Sequence, residues 1–409
     1  MSDPLQFLRD PVTIRLRCNA ITQAVAGERS GWLRLDRSRL ADAADRVAAL
    51  TRARFPDLKI PFHSRWRHFE AGGVDRKAEL EAALAGREAA DRARALVDLT
   101  VVSVLLDAGA GGAWCYREGD VSYTRSEGLG VASFRAFLGG VFSSDPADPC
   151  RVDAAALQRL DGDVLRQVFQ VTAGNPLVGL EGRAGLLQRL GRALQAESAR
   201  DGTPARPGLL FDRLAAGGAT QVRAARVLHE VLVAFGPIWT SGSIVKGVQA
   251  GDVWPHRFAG SATVEGPDFT TDGWVPFHKL SQWLSYSLLE PLQWSGLQVT
   301  SLDDLTGLPE YRNGGLFVDC GVIVPRDPRT LARRWKPGDE IVIEWRALTV
   351  TLLDELAVLV RERLGVTADA LPLACVLEGG SWAAGRQIAA EKREGGAPPL
   401  AIDSDGTVF

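Results

Sequence analysis

Residues 301–315 bring together side chains that ordinarily carry out acid–base chemistry. The stretch reads SLDDLTGLPEYRNGG and places Glu310, Tyr311 and Arg312 between a proline and two glycines. A carboxylate can orient or deprotonate water, and a phenol and a guanidinium can hold that carboxylate in one orientation. The same cluster can equally form a hydrogen-bonded surface turn, with residues 313–315 as the point where the chain leaves. The composition of this stretch alone leaves both interpretations open.

Residues 275–293, VPFHKLSQWLSYSLLEPLQ, carry two stripes at helical spacing. The apolar stripe, which should pack inward, consists of Phe277, Leu280, Leu284 and Leu288. The second stripe is polar and consists of Lys279, Gln282, Tyr286 and Glu290. A polar stripe is more often the solvated face of a helix. This one combines a cation, an amide, a phenol and a carboxylate, which together also suit a phosphorylated sugar.

A basic and aromatic segment, IPFHSRWRHFEAGGVDR, covers residues 60–76. Its basic members include Arg65, Arg67, His68 and Arg76. Guanidinium groups match the oxygens of a phosphate, so the segment could bind an anion. The alternative is a structural plug in which arginines stack on the neighbouring aromatic rings. The residues favour neither interpretation over the other.

Asp107 follows a strongly apolar run and opens a glycine-rich turn that ends in Trp114. A carboxylate at the end of a buried element is costly unless it is paired or used, so Asp107 is a candidate for binding a polar ligand. The alternative is an aspartate that caps the next turn. The glycines lack the GxGxxG and GxxxxGK[ST] spacings of phosphate-binding loops.

Composition and missing motifs exclude several classes of protein. The net charge of −3 and the pI near 6.0 argue against nucleic-acid binding. The sequence has no GxSxG, no HExxH and no CxxC spacing among its five cysteines, so we expect neither a serine hydrolase nor a metal site. It also lacks a signal-peptide pattern and a membrane-length apolar run. We therefore expect a cytoplasmic protein without membrane contact.

The elements that must position these residues are predicted to be mainly helical, with a minority of strand. Clear helical spacing covers residues 36–54, 75–106 and 219–235. Residues 339–365 read as a short strand running into a long helix that ends at Gly365. We predict one large body over residues 1–409. A loop or boundary is expected near 196–208, and an additional C-terminal segment at 370–409.

Five long motifs, in order, resemble a family associated with the URC pathway of uracil catabolism, the family of its fourth protein. They are PFHSRWRHFEAGG, GNPLVGLEGRAGLL, VPFHKLSQWLSYSLLEPL, LTGLPEYRNGGLFVD and the closing DSDGTVF. The resemblance spans essentially the whole chain. In that pathway uracil is converted to a nucleotide and its ring is opened, which leaves a ribosylurea-type product.

A more distant similarity is to the queuosine salvage proteins, which hydrolyse the N-glycosidic bond of queuosine 5′-phosphate. Their Phe-x-Lys-x-x-Gln helix motif matches Phe277, Lys279 and Gln282, and their Leu-Thr and acid-Tyr-Arg motif matches Leu305, Thr306, Glu310, Tyr311 and Arg312. Asp107 and Trp114 resemble the residues that flank the base-binding segment of that family. The similarity implies a helical fold akin to DNA glycosylases. This chain departs from the pattern by using glutamate where that family has aspartate.

Together the two resemblances imply an N-ribosyl hydrolase that cleaves a 5′-phosphorylated ribosylurea-like nucleotide into ribose 5-phosphate and urea. Glu310 and Asp107 are the expected catalytic residues. The expected substrate-binding residues are Lys279, Gln282, His278, Tyr311, Arg312, Arg67, His68 and Trp114. Lys279 would hold the phosphate, and Tyr311 and Arg312 would fix the Glu310 carboxylate. The reaction calls for no metal and no organic cofactor, and contact with other enzymes of uracil catabolism is a further expectation.

Two other functions remain as alternatives. A phosphoribosyltransferase of uracil metabolism is disfavoured because no acidic pair precedes a glycine- and threonine-rich loop that could grip pyrophosphate. A non-catalytic partner of the ring-opening enzyme would use the tryptophan-rich region 239–254 as a contact surface.

Overall fold

Helices form most of the protein and its strands are short, as the sequence predicts. The computed structural model describes residues 5–202, 204–240, 242–263, 266–267 and 271–403. The α-helices are Pro11–Ala26, Leu40–Arg54, Trp66–Phe69, Arg76–Ala83, Ala89–Leu105, Arg125–Leu138, Ala154–Arg159, Gly162–Val168, Leu180–Asp201, Leu209–Leu214, Ala224–Phe235, Lys279–Trp294, Tyr311–Asp319, Glu340–Leu364, Leu373–Val376 and Trp382–Lys392. A π-helical turn at Leu377–Ser381 joins the last two of these helices.

The strands among the described residues pair only two at a time. They are Leu33–Leu35, Cys115–Glu118, Val121–Thr124, Gln221–Arg223, Ile244–Val245, Val248–Gln249, Val253–Pro255, Ala262–Thr263, Gly266–Pro267, Trp274–Pro276, Gln298–Thr300, Ile323–Pro325, Arg334–Trp335 and Ala401–Ile402. Three ladders join segments far apart in the chain. One ladder is antiparallel and pairs Leu33 with Pro325. The other two are parallel and begin with the pairs Gln298–Gln221 and Arg334–Ala401.

The helix Glu340–Leu364 occupies the centre of the protein and packs against Pro11–Ala26, Leu40–Arg54 and Tyr311–Asp319. The predicted strand at its start is wrong, because the helix begins at Glu340. The β-branched residues 341–343 favour a strand locally, but here they are buried among other helices, and this burial outweighs their propensity. Its end at Gly365 is confirmed, since that residue has a φ of 71°.

The helix Lys279–Trp294 packs against Ala89–Leu105 and Ala224–Phe235. It begins later than the sequence predicts, because the residues before it form the strand Trp274–Pro276. Asp252 secures the first turn by accepting a hydrogen bond from the Lys279 backbone N–H at 3.0 Å.

The predicted boundary at 196–208 lies partly on a helix, which continues to Asp201. Beyond Gly202, the chain returns to the helix Ala89–Leu105, where Asp98 pairs with Arg206 at 2.6 Å and accepts the Gly208 backbone N–H. The described part of this segment is thus held by buried contacts. A division of the chain at this point stays a prediction.

The C-terminal segment contributes the helix Trp382–Lys392, which packs against Tyr311–Asp319. Residues 404–409, which include the closing DGTVF, lie outside the described residues. One large apolar cluster takes in side chains from Ile14 to Leu400. No helix in the described ranges is both long and apolar enough to cross a membrane.

Candidate active site

A cavity of about 450 Å³ opens where seven separate parts of the chain meet. They are the segment 63–68, the turn 107–112, residues 125–126, the start of the helix Lys279–Trp294, residues 308–312, Trp382 and residues 395–398. The polar and aromatic residues of its lining are His63, His68, Asp107, Arg125, Ser126, Lys279, Trp283, Glu310, Tyr311, Arg312 and Trp382. The volume lies in the range of about 300–1,000 Å³ that is typical of small-molecule sites.

Glu310 caps the helix Tyr311–Asp319 and is only 8% exposed. Its two carboxylate oxygens accept backbone N–H groups, at 2.9 Å from Arg312 and at 2.6 Å from Asn313. Both oxygens are therefore held by the helix N-terminus, which also favours negative charge. The expectation that the Tyr311 and Arg312 side chains fix this carboxylate is revised, because the contacts in the structure come from backbone amides.

Residues 313–315 form the first turn of a helix, so the predicted exit turn is wrong. The glycine at 314 allows a close helix–helix approach, since a Cβ added there would lie 2.7 Å from the Trp345 Nε1 atom. That same indole nitrogen donates a hydrogen bond to the Gly314 carbonyl at 2.9 Å. The contact sets the position of the helix that carries Glu310.

Tyr311 and Arg312 both line the cavity. The Arg312 guanidinium lies 4.9 Å from the Tyr311 ring centroid and 4.4 Å from that of Trp382. Burial raises the pKa of the Tyr311 phenol, which keeps it neutral as a hydrogen-bond donor. The three side chains form a stacked group next to Glu310.

Lys279 presents its ammonium group to the cavity from the first position of its helix. Burial lowers the pKa of this amine, while the negative charges of Glu310 and Asp107 oppose that shift. Within the described ranges of the chain, the ammonium makes no hydrogen bond or ion pair with another residue. It is therefore available to a ligand.

Asp107 also lines the cavity and pairs with the fully buried Arg65 at 3.0 Å. Burial by itself would raise the pKa of the Asp107 carboxyl, but Arg65, His68, Ser126 and Lys279 hold it below its usual range. Arg65 is fixed in turn by the Ser103 hydroxyl at 2.7 Å. Asp107 is thus an ionised acceptor at neutral pH.

His68 contacts the same guanidinium. An arginine can only donate, so the 3.0 Å contact from Arg65 makes the His68 Nδ1 atom an acceptor and leaves the ring proton on Nε2. Burial, and next the positive charge of Arg65, lower the pKa of His68 to about 4. The ring is therefore neutral at physiological pH.

Four predicted substrate-binding residues do not line the cavity. The fully buried Gln282 accepts the Thr306 backbone N–H at 3.1 Å and donates to the hydroxyl of the same residue. Its neighbour on the stripe, Tyr286, donates to the Thr306 carbonyl at 2.9 Å. We revise the expected role of Gln282, because its amide holds the segment leading to Glu310. Gln282 and Tyr286, in the middle of the polar stripe, therefore pack inward, whereas Lys279 at its start lines the cavity.

The other three are engaged in packing contacts of their own. The His278 Nε2 atom bonds the Leu8 carbonyl at 2.8 Å, and Arg67 pairs with Glu290 at 2.7 Å. The Trp114 indole is fully buried and donates to the Phe169 carbonyl at 2.9 Å. These contacts engage their polar groups away from the cavity, and a role in substrate binding stays a prediction for all three.

Comparison with known proteins decides the family. A family model described as "Protein of unknown function (DUF1688)" matches residues 7–409. The chain belongs to this family. "Protein urg3" of Schizosaccharomyces pombe (strain 972) is 40% identical over 406 residues, which cover 97% of this chain and 96% of that protein. "Uracil catabolism protein 4" of Lachancea kluyveri is 42% identical over 379 residues, which cover 86% and 85%. The resemblance seen in the five motifs is confirmed.

In this DUF1688 protein the cavity also contains residues that the sequence did not single out. Trp283 follows Lys279 by one helical turn, so helical spacing could have identified it. His63 lies within the basic segment 60–76 but was not selected from it. Arg125 and Trp382 carry no local signal, because only the packing of distant helices brings them to the cavity.

A cluster of possible metal ligands lies outside this cavity, at His256, Glu340 and Glu344. The His256 Nδ1 atom accepts the Phe258 backbone N–H at 3.2 Å, so the neutral ring carries its proton on Nε2. That nitrogen faces Glu344 at 3.6 Å. A protonated nitrogen has no lone pair for a metal, and the cluster fits a buried histidine–carboxylate contact better than a cation site.

Proposed function

We propose that this protein is an N-ribosyl hydrolase of uracil catabolism. It cleaves the C1′–N bond of a 5′-phosphorylated ribosylurea-like nucleotide and releases ribose 5-phosphate and urea. One observation carries this proposal: Glu310, Asp107 and Lys279, chosen from three separate stretches of sequence, line one cavity. The printed name of a relative that is 42% identical, "Uracil catabolism protein 4", supports the pathway.

Glu310 is suited to the charge that develops when a C1′–N bond breaks. Departure of the nitrogen leaves positive charge on the ribose, as in the oxocarbenium-like transition states of glycosidases. A carboxylate held by two backbone amides cannot rotate away, so its negative charge is already oriented when the reaction occurs. The same group orients the attacking water and accepts its proton.

Asp107 complements Glu310 from the other side of the cavity. Its pairing with Arg65 keeps it ionised, so it acts as an acceptor for ribose hydroxyl or urea N–H groups. The neutral His68 beside it carries a proton on Nε2 and can donate one hydrogen bond. This pair provides polar recognition without a second proton transfer.

The phosphate is best placed at the outer end of the cavity. Arg125 and Arg312 line both this cavity and a neighbouring depression that also contains Arg386. Guanidinium groups match phosphate oxygens in geometry and charge. The Lys279 ammonium lies near the negative charges of Glu310 and Asp107, which would repel a phosphate, so we assign it to the ribose and shift the phosphate role to the arginines.

The likeness to queuosine 5′-phosphate hydrolases and to the DNA-glycosylase fold belongs to this proposal as well. Its support is the order of the motifs and the mainly helical architecture. The smaller leaving group proposed here fits the presence of Trp283, His63 and His68 close together, with ring centroids 4.8 and 6.1 Å from the tryptophan.

The test is to incubate the purified protein with ribosylurea 5′-phosphate and to measure both products. We expect ribose 5-phosphate and urea in equal amounts, without added metal or nucleotide. Release of neither product contradicts the proposal. A requirement for magnesium and pyrophosphate would instead indicate a phosphoribosyltransferase.

A further inference from the structure

His63 lines the cavity, and its ring contacts the carboxylate of Glu378. Its Nδ1 atom is 2.9 Å from the Glu378 Oε2 atom, and the ring is buried. An ionised carboxylate only accepts hydrogen bonds, so Nδ1 carries a proton and donates it. The second nitrogen, Nε2, makes no hydrogen bond with any residue in the described ranges. It remains available to a ligand in the cavity.

Glu378 is itself held in one position. Arg54 donates to its other carboxylate oxygen at 3.1 Å and to the Gly379 carbonyl at 3.0 Å. Burial would raise the pKa of the Glu378 carboxyl, but the hydrogen bond and charge of His63, together with Arg54, hold it below its usual range. The carboxylate therefore stays negative beside the imidazole.

The backbone around Glu378 is unusual. It belongs to the π-helical turn Leu377–Ser381, and such turns often occur at functional sites. A Cβ at position 380 would lie 2.6 Å from both the Val47 carbonyl oxygen and the Thr51 hydroxyl. The glycine thus lets this turn pack directly on the helix Leu40–Arg54, which supplies Arg54.

We propose that His63 is the general acid that protonates the leaving urea, and that Glu378 is its positioning residue. This inference rests on the proposed function. Urea is a poor leaving group as an anion, so cleavage of its bond to ribose needs a proton donor on the departing nitrogen. The His63 ring has the geometry for this role, because Nδ1 donates to the Glu378 carboxylate and Nε2 is left without a partner among the described residues on a ring that lines the cavity.

The other charged or titratable groups of the cavity fit this role less well. His68 is neutral and bound to a guanidinium, and Asp107 is an ionised acceptor. Burial raises the pKa of Tyr311, which makes its phenol a weaker acid. The remaining charges are Lys279, Glu310, Arg125 and Arg312. Glu310 is assigned to the water.

The proton balance of the reaction closes with these two groups. The C1′–N bond breaks and its electron pair goes to the urea nitrogen, which takes the Nε2 proton of the His63 imidazolium. The water oxygen bonds to C1′, and the water proton passes to the Glu310 carboxylate. Exchange with solvent returns a proton to His63 and removes one from Glu310. The sum is one nucleotide and one water converted to ribose 5-phosphate and urea.

The decisive experiment compares His63→Gln on two substrates. Ribosylurea 5′-phosphate needs a general acid, whereas a p-nitrophenyl ribofuranoside 5′-phosphate has a leaving group that departs without a proton. We expect His63→Gln to lower kcat for urea release by about 10²-fold or more and to leave nitrophenol release within several-fold of the wild type. His229→Gln, a half-buried histidine on the helix Ala224–Phe235, is the matched control and should change neither rate.

The possible outcomes distinguish a failure of the His63 assignment from a failure of the proposed function. No urea release by the wild type overturns the proposed function and the His63 assignment with it. Urea release that persists in His63→Gln overturns only the assignment, and so does an equal loss on both substrates, because a structural defect does not distinguish leaving groups.

Glu378→Gln tests the positioning role through the pH profile. Loss of the carboxylate removes the counter-charge of the imidazolium, so the alkaline limb of kcat should move to lower pH. Glu355→Gln, which removes the carboxylate partner of Arg37 on the surface, is the control and should leave the profile unchanged. A lower melting temperature with an unshifted profile would assign Glu378 a structural role alone.

Discussion

Two walls of the cavity each present a histidine from the same short segment, in opposite electrostatic settings. The carboxylate wall consists of His63, Glu378 and Arg54, and its imidazole donates to a carboxylate at 2.9 Å. The guanidinium wall consists of His68, Arg65 and Asp107, and its imidazole accepts from a guanidinium at 3.0 Å.

The difference shows that one residue type can meet opposite partners in one cavity. His63 donates from Nδ1 to a carboxylate, whereas His68 accepts at Nδ1 from a guanidinium. The carboxylate wall therefore matches the proton donor that we propose. The guanidinium wall is suited to holding an ionised acceptor, Asp107, in a fixed place.

The largest expected effect comes from Glu310. Glu310→Gln should lower kcat for urea release by about 10³-fold, because the variant lacks the carboxylate that activates the water, and the other fixed anion of the cavity, Asp107, is committed to Arg65. Steady-state kinetics at neutral pH, with circular dichroism to verify folding, measures this. The surface variant Glu355→Gln, which removes the carboxylate partner of Arg37, is the matched control. Near-normal turnover by Glu310→Gln would mean that one of the walls supplies the catalytic carboxylate instead.

The next largest effect should fall on stability at the guanidinium wall. Arg65→Met leaves Asp107 without its cation in a buried site, which should cost about 3–5 kcal/mol in the free energy of unfolding. Denaturant titration at neutral pH gives this value. Arg46→Met, which breaks an exposed ion pair with Glu391, should change it by no more than about 1 kcal/mol. Equal effects for the two variants would show that burial does not distinguish the walls.

The guanidinium wall should also make the protein less stable in mild acid. The pKa of His68 is lowered to about 4 in the folded state, whereas an unfolded histidine titrates near about 6.5. Between these values the unfolded chain binds more protons, so stability is complete above about pH 6.5 and falls as the pH decreases toward 4.

From pH 7 to pH 5 this contribution should amount to about 2 kcal/mol in the free energy of unfolding. Denaturant titrations of the wild type and of His68→Gln across this range measure it, and the variant should lose that part of the pH dependence. Superimposable pH dependences would show that His68 is already protonated in the folded state. The comparison of the two walls would then fail.

The smallest expected effect concerns the arginine of the carboxylate wall. Arg54 is 34% exposed, so solvent screens its contact with Glu378, and Arg54→Gln should lower the free energy of unfolding by about 1 kcal/mol or less. Its kcat should fall only several-fold, since His63 still holds Glu378. Arg46→Gln is the control on a similarly exposed pair. A loss of unfolding free energy as large as that of Arg65→Met would show that the contacts of the two walls do not differ through burial.

The outcome for individual residues shows what sequence patterns can and cannot establish about this site. Lys279 and Glu310 were found because local motifs carry them, and they do line the cavity. Gln282 belongs to the same motif, yet its amide is used by Thr306, a partner 24 residues away. Helical spacing identified the polar stripe of this helix. It could not show whether these side chains face solvent or a buried loop, because both environments can hydrogen-bond with polar groups.

The fold shows the same division. Gly365 ends its helix through its own backbone freedom, which is a local property and was predicted. The short strand expected at the start of 339–365 and the turn expected at 313–315 are both helical in the structure, because burial against neighbouring helices outweighs local preference. Asp252 illustrates a long-range contact that sequence patterns do not reveal. It binds Arg346 at 2.7 Å and the Lys279 backbone N–H, yet it lies in a region with no recognisable motif.

What the amino-acid sequence determined by itself was the mainly helical class and the family, while the carboxylate chemistry assigned to Glu310 stays a prediction. These follow from spacing and residue type, which are properties of contiguous chain. Only the tertiary structure decided which histidine lies on a carboxylate and which on a guanidinium, and that Trp382 joins the site. The physical reason is that charge state and burial depend on partners tens to hundreds of residues away, and His63 meets Glu378 across 315 positions.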